Sequence, residues 1–271
     1  MPLTRILLGW ACWLGGVTAA LAQPVGFATL TEGKVALTRG AALYTAADGI
    51  RVQEGDILAT GARSQTQIQL AGGTLLGIGP ETELMLGKAD SEVALLRGWL
   101  KVTQKKGAKA FRLWTPAAQA TLSEATVVAR AGTGFLQAFV ESGTLAAART
   151  AKAGEFIAYK GSESAVAPRP AADFVQAMPK HFLDPLPEMP DKLKERRVEP
   201  RRERDVAYED VADWLKSPAP ARRGFVRRFH GRIGDARFRA ALDAHMRDHM
   251  EWDRVLHPEK YEEKQKEGAK K

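Results

Sequence analysis

Asparagine is absent from all 271 residues, and cysteine occurs once, at Cys12. Without asparagine there is no N-glycosylation acceptor, and turns must rely on Gly, Asp and Pro. One cysteine excludes an internal disulfide and a thiolate metal cluster. Histidine is scarce as well. The five are His181, His230, His245, His249 and His257, all in the C-terminal third. There is no G-x-S-x-G, no H-E-x-x-H and no thiol nucleophile past the first residues. The chain is therefore read as non-enzymatic, with no cofactor. Long apolar runs are also missing. The longest, Ile6–Ala20, is short for a bilayer span.

That run has another reading. Arg5 precedes it, and the small-residue site Ala20-Leu21-Ala22 follows. Residues 1–22 are expected to be a secretory signal peptide cleaved after Ala22. Cys12 leaves with it, and the mature chain is expected in the periplasm with no transmembrane span. About 250 residues remain, enough for one core-bearing domain plus extensions. Net charge is +8. An exported protein seldom meets nucleic acid, so none is expected as partner. Acidic envelope polymers and anionic headgroups are the alternatives, beside a merely soluble surface.

The stretch "LAGGTLLGIGPETELML" (70–86) resembles a phosphate loop in glycine content only. It lacks the G-K-[ST] of a P-loop, and no third glycine completes G-x-G-x-x-G. Thr82, Leu84 and Leu86 alternate with Glu81, Glu83 and Met85, a strand period. The glycines are read as punctuation between short strands.

The chain divides into regions. Residues 25–160 hold many short strand-like runs separated by turn signals, which suggests an all-β sandwich, barrel or β-helix. Residues 161–205 carry Pro168, Pro170, Pro179, Pro185, Pro187, Pro190 and Pro200 before the charged "DKLKERRVEPRRERD". The prolines stiffen this stretch. Its Phe174, Val175, Met178, Phe182 and Leu183 predict an arm partly docked on a neighbour rather than a free linker. Residues 206–257 show helical stripes: Tyr208, Val211 and Leu215; Phe225, Phe229 and Ile233; then Phe238, Leu242, Met246, His249, Trp252 and Leu256. Asp235 stands where an N-cap is wanted. Residues 258–271 are read as a disordered charged tail.

In order along the first region come "VQEGDILATG", "IQLAGGTLLGIGPETELML", "LLRGWLKV" and "FRLWTP". This ordered set resembles the FecR-type periplasmic domain over roughly residues 28–160. The matching positions are Gly55, Asp56, Thr60, Gly61, Gly73, Thr74, Gly79, Pro80, Thr82, Leu84, Leu96, Gly98, Thr115 and Pro116. The resemblance implies a mainly β fold, a FecR-like β-sandwich or β-helix-like domain, followed here by the Pro-rich arm and a small α-helical region. One departure stands out: where the family carries R-G-T-x-F, this chain has "LSEATVVARAG". Family members often act as anti-sigma regulators with a cytoplasmic segment and a membrane span before this domain. Neither precedes it here, so the resemblance implies a stand-alone sensing or binding module.

Several residues are candidates for sites, each with a plainer alternative. Gly55, Asp56, Gly61, Gly73, Thr74, Gly79 and Pro80 are read as family-motif turns, where Gly supplies positive φ and Asp bonds its own turn. His245 and His249, four apart, have the spacing of a metal pair, but a third ligand is missing and no metal is expected. Arg222, Arg223, Arg227, Arg228 and Arg232 form a basic cluster suited to an anionic glycan, headgroup or acidic partner. The alternative is a solvated face paired with nearby acids. Trp99 and Trp114 can stack on sugar if exposed and belong to the core if buried. The function expected is a periplasmic binding or scaffolding protein that recognises an envelope glycan or envelope protein, with peripheral contact to an anionic surface. The alternatives are a signalling component that contacts an outer-membrane receptor or membrane regulator, and an accessory to a cell-wall or polysaccharide enzyme.

Overall fold

A computed structural model describes residues 24–88, 91–188, 193, 198–220 and 222–261. The expected signal segment, with Cys12, lies outside them, as do residues 262–271 of the expected tail. The chain is mainly β, with one 16-stranded sheet and a small helical region after it. The first strands are β1 (Pro24–Glu32), β2 (Val35–Arg39), β3 (Ala42–Thr45), β4 (Arg51–Gln53), β5 (Ile57–Thr60) and β6 (Gln65–Leu70). Next come β7 (Leu75–Ile78), β8 (Glu83–Leu86), β9 (Glu92–Thr103), β10 (Phe111–Trp114), β11 (Gln119–Gly132) and β12 (Phe135–Ala146). The last are β13 (Thr150–Lys152), β14 (Phe156–Lys160), β15 (Glu163–Ala167) and β16 (Arg201–Asp205).

Three long strands turn this sheet into two layers, because each pairs differently along its length. The first half of β9 lies against β8 and β10, and its second half against β7 and β11. β11 moves from β10 to β9, and β12 from β14 to β13. A strand that changes layers must bend, and the bends fall at left-handed residues: Gly98 in β9 (φ 95°), Glu124 in β11 (φ 47°) and Gly143 in β12 (φ 71°). At Gly98 and Gly143 the missing Cβ also matters. One at Gly98 would sit 2.3 Å from Thr82 Oγ1, and one at Gly143 2.4 Å from the Glu124 carbonyl. The stretch "LSEATVVARAG", where the family motif departs, is the body of β11. The architecture is therefore the sandwich of the two sequence alternatives, with corners made by strands that switch layers.

Between the layers lies the main core, which includes Leu37, Leu58, Ile68, Leu76, Leu84, Leu95, Leu100 and Val127, all fully buried. Each such side chain contributes roughly 1.5–3 kcal/mol relative to exposure. The outer faces are covered too. On one, Trp99, Val128 and Phe156 meet Phe174 and Phe182 from the Pro-rich arm. On the other, Ile57, Met85, Ala94, Leu96 and Trp114 meet the helical region. This double covering explains why β7, "LLGI", is buried along its whole length instead of alternating.

The arm contributes helix α1 (Ala172–Ala177) and a strap, residues 179–188, that includes a 3-10 turn at Lys180–Phe182. It also contributes β16, which pairs with β3 although every residue of "RRERD" is exposed. The helical region comprises α2 (Ala212–Lys216), α3 (Arg222–Phe229), α4 (Ala236–Ala244) and α5 (Asp253–Leu256), joined by 3-10 turns. Asp235 caps α4, its carboxylate accepting from Arg237 and Phe238 N–H. The long stripe Phe238 to Leu256 is not one helix. It breaks after α4 into 3-10 turns at Met246–Asp248 and Met250–Trp252 before α5. Residues 258–261 of the expected disordered tail are helical, and Tyr261 donates to Asp253 at 2.6 Å.

The Gly98 corner can be tested directly. Gly98→Ala combines left-handed strain with a clash at Thr82 and should cost about 2–4 kcal/mol of stability. Urea unfolding of the two proteins measures it, and an unchanged midpoint would contradict this account of the corner.

Candidate functional site

The matching motif residues, far apart in sequence, meet at one buried knot. Thr60 Oγ1 donates to the Gly79 carbonyl at 2.6 Å and accepts from Thr82 N–H at 2.9 Å. Thr82 Oγ1 accepts from Trp99 N–H at 2.8 Å and lies in the space left by Gly98. Gly79 N–H donates to the Trp99 carbonyl at 2.9 Å. Buried polar groups are tolerable when hydrogen-bonded in this way. The turn over the knot forces Glu81 into φ 50°, uncommon for a residue with a side chain, and leaves it exposed.

Beside the knot lies an open trough of about 750 Å³. Its origin is the sheet register. The row Thr38, Ile57, Met85 and Ala94 crosses β2, β5, β8 and β9, and its apolar members lie under the helices. The next row, Ala36, Ala59, Glu83 and Arg97, lines the trough. Two alanines leave the backbone close to the surface, and Lys34, Gly61, Ala62 and Glu81 complete the lining. Past Arg97 a second hollow of about 280 Å³, lined by Leu96, Pro116, Lys216 and Pro218, follows the seam between sheet and α2.

The charges of this groove are organised by Arg97. It donates to Glu83 Oε1 at 2.5 Å and to Asp213 Oδ2 at 2.7 Å, thereby tying β8, β9 and α2. Burial raises the Glu83 pKa above the ordinary carboxyl value; Arg97 opposes the shift and Asp213 adds to it. The two carboxylates are thus bound to one guanidinium rather than left to act as an acid–base pair. Lys34 and Glu81 carry charges that no ion pair among the described residues neutralises. The groove therefore offers small-residue approach to the sheet and, among the described residues, charges of both signs outside any ion pair.

The sequence left the arginine cluster open between an anion-binding patch and a face paired with acids, and the structure divides it. Arg228 spans from α3 to the sheet, donating to the carbonyls of Gly40 at 2.8 Å, Gly55 at 2.6 Å and Thr38 at 2.9 Å. Burial pushes its pKa down to about 10 against the pull of Asp56, and it stays cationic. Arg222 holds Glu251 through two bonds, at 2.6 and 2.9 Å, and the Asp248 carbonyl. Arg232 holds the Val206 carbonyl at 2.8 Å together with Asp205 and Asp235. Arg223 and Arg227 remain exposed. Three of the five are thus committed to internal acceptors that the sequence could not reveal.

The histidines separate as well. His249 is fully buried and shares a 2.7 Å hydrogen bond between Nε2 and the Tyr208 hydroxyl. His245 is exposed and stacks on the Tyr208 ring, centroids 5.7 Å apart. Among the described residues no group of three His, Cys, Asp or Glu side chains is placed to hold a metal. Trp99 and Trp114 are 7% and 8% exposed and belong to the outer-face cores, so neither offers a stacking platform.

Two of the motif glycines sit in left-handed turns. Gly55 and Gly73 have φ 80° and 86°, and the Asp56 carboxylate accepts from Gln53 N–H at 2.8 Å while pairing with Arg39. Gly77 and Gly79 serve something else. A Cβ on Gly77 would come within 2.9 Å of Leu186 and 3.0 Å of Phe182, and one on Gly79 within 3.2 Å of Pro179. These glycines seat the strap. Gly61 and Ala62 edge the trough, Thr74 bonds back to Leu70 through its carbonyl, and Pro80 accepts from Thr82 Oγ1. The functional residues that sequence reasoning missed are Glu83, Arg97, Asp213 and Lys101. A charged pair at cross-strand positions in an otherwise apolar row was the one available signal for Glu83 and Arg97.

With this geometry in view, the comparisons are informative. Residues 56–146 match the family model described as FecR protein. That span contains Thr82, Glu83, Gly98 and the corner strands. Two crystal structures, refined at 1.65 and 2.50 Å, of a protein proposed to be an anti-sigma factor from Parabacteroides distasonis are similar at 15% and 14% identity. Each has a TM-score of 0.38, covering 45% of this chain and 63% and 64% of those chains. This chain thus spans less than two thirds of their length. No curated protein matches it. The matched residues lie in a β domain whose two outer faces are covered by the chain's own arm and helices.

Two outcomes follow from the buried groups. Arg228→Met should cost about 2–3 kcal/mol, because carbonyls at the seam lose their donors. Chemical denaturation measures this, and a loss under half a kcal/mol would reassign Arg228 to the surface. Burial also lowers the pKa of His249 below its ordinary value. The unfolded chain then binds more protons just below the ordinary imidazole pKa, so stability falls as pH drops through that window. A melting series from about pH 8 to about pH 5 should show the decline, reduced in His249→Gln. Burial lowers His181 in the same direction, so some slope should persist in the variant. An identical slope would exclude His249.

Proposed function

We propose that this chain is a non-catalytic periplasmic protein of the signal-transduction type, which binds an extended segment of another envelope protein in the groove beside the Thr60–Thr82 knot. The observation that carries the reading is the uncovered register row Ala36, Ala59, Glu83 and Arg97, left open beside the row of Ile57, Met85 and Ala94 that the helices cover. Its small floor admits a polypeptide backbone close to the sheet. Its rim carries charges of both signs, which suits a mixed-charge peptide better than a uniformly anionic polymer. Buried Trp99 and Trp114 lend no support to sugar stacking. Carboxylates locked on Arg97 lend none to glycoside hydrolysis, which needs one of a pair free to carry a proton. The family match over residues 56–146 supports the signalling class.

Site-specific photo-crosslinking in intact cells tests this. A crosslinking residue at Ala59, on the trough floor, should give one discrete adduct with an envelope protein. The same residue at Ala165, on remote β15, should not, and Arg97→Glu should abolish the Ala59 adduct. An Ala59 product that is released only by glycan-digesting enzymes, or no difference between the two positions, would reject a protein partner in the groove.

A further inference from the structure

The second covered face has an unusual chemistry. Lys101 lies in β9 with 1% of its surface exposed. Its ammonium donates to the carbonyls of Phe182 at 2.7 Å and Asp184 at 3.1 Å, and to Glu141 at 3.0 Å. Both carbonyls belong to the strap. Gln67, on β6, donates to a third strap carbonyl, Pro187, at 2.6 Å. The sheet thus holds this segment by its backbone, over Gly77 and Gly79, which present no side chain. Phe182 fills a pocket with Trp99 and Phe174, whereas Leu183 is 68% exposed and makes little use of the surface.

A segment needed only for stability is more cheaply held by apolar contacts, since a buried ammonium costs desolvation that its partners only partly return. That cost changes sign when the strap departs. Lys101 then regains water, which offsets part of the apolar burial lost at Phe182. The prolines Pro179, Pro185 and Pro187 restrict the segment on either side of its 3-10 turn and lower the entropy of seating it. Backbone reading by side-chain donors, glycines beneath the chain and one aromatic anchor are the features of a peptide groove.

We infer that the face formed by β6, β7 and β9 is a peptide-binding groove occupied in cis by residues 179–188. In trans it takes a proline-flanked segment of a partner protein that turns at an aromatic anchor, with the carbonyls at the anchor and two residues beyond it reaching Lys101. The inference concerns the face opposite the trough and stands whether or not the trough binds a protein.

The probe is a labelled synthetic peptide of residues 179–188, PKHFLDPLPE, titrated into the full chain and followed by fluorescence anisotropy. Phe182→Ser removes the cis anchor and should tighten peptide binding about tenfold or more over the unmodified chain. Adding Lys101→Met to that variant should reverse the gain. A Phe182→Ser chain with an unaltered circular dichroism spectrum that binds no peptide would overturn the inference, as would binding indifferent to Lys101. Should that variant fail to fold, hydrogen exchange on the unmodified chain decides. Excess peptide should speed exchange at the Phe182 and Leu183 amides, which bond to Pro179 and Lys180 carbonyls. Unchanged exchange at saturating peptide would overturn it. A concentration-dependent dimer without peptide would also do so, by assigning the groove to a second copy's strap.

Discussion

Two threonine hydroxyls carry the geometry of this molecule. Thr60 and Thr82 join β5, the turn before β8 and the corner of β9, each using both hydrogen-bonding capacities of its hydroxyl. The corner at Gly98 exists only because no Cβ competes with Thr82. Without that corner β9 would stay in one layer, and the sandwich would lose the strand that both halves share. The trough inherits its shape from the same knot, since Glu81 and Glu83 flank Thr82 on either side. A site built this way is as rigid as the core beneath it.

The two coverings are held by different means. The helices pack an apolar face on the sheet, and Arg228 then fixes their position by donating to three sheet carbonyls. Those carbonyls lie at the ends of β2 and β5 and in the β2–β3 turn, so the guanidinium satisfies groups that strand ends leave unpaired. The strap is held by Lys101, Gln67, the Phe182 anchor and an ion pair from Lys105 to Glu188. The first arrangement resists separation, because losing it strands several buried acceptors. The strap also makes the smaller apolar contact, and on the inference drawn above it is the covering that opens.

Much of this was legible in the sequence, for identifiable reasons. Period-two alternation in β6 and β8 and the turn glycines 55 and 73 are local signals, and they placed strands and turns. The stripes Phe225–Phe229 and Phe238–Leu242 placed helices in the same way. Other features depend on tertiary partners. β16 has no apolar member, since both its faces meet solvent and only its backbone is engaged. Gln67 and Gln69 looked like a solvent face, yet Gln67 is buried under the strap. Arg222, Arg228 and Arg232 looked like a cation patch because sequence shows donors and hides carbonyl acceptors. The groove was invisible because its defining property is a row that nothing covers, and covering is decided by segments distant in the chain.

β16 has a mechanical consequence. In chain order it stands between the strap on one face and the helices on the other, and it is zipped antiparallel to β3 at the edge of the sheet. Tension applied at the strap therefore loads this ladder before it loads the helices. A pull transmitted along the chain must part this ladder before it reaches the helices, so the strand acts as a strain relief. A tug on the strap that falls short of unzipping β16 leaves the helical side at rest.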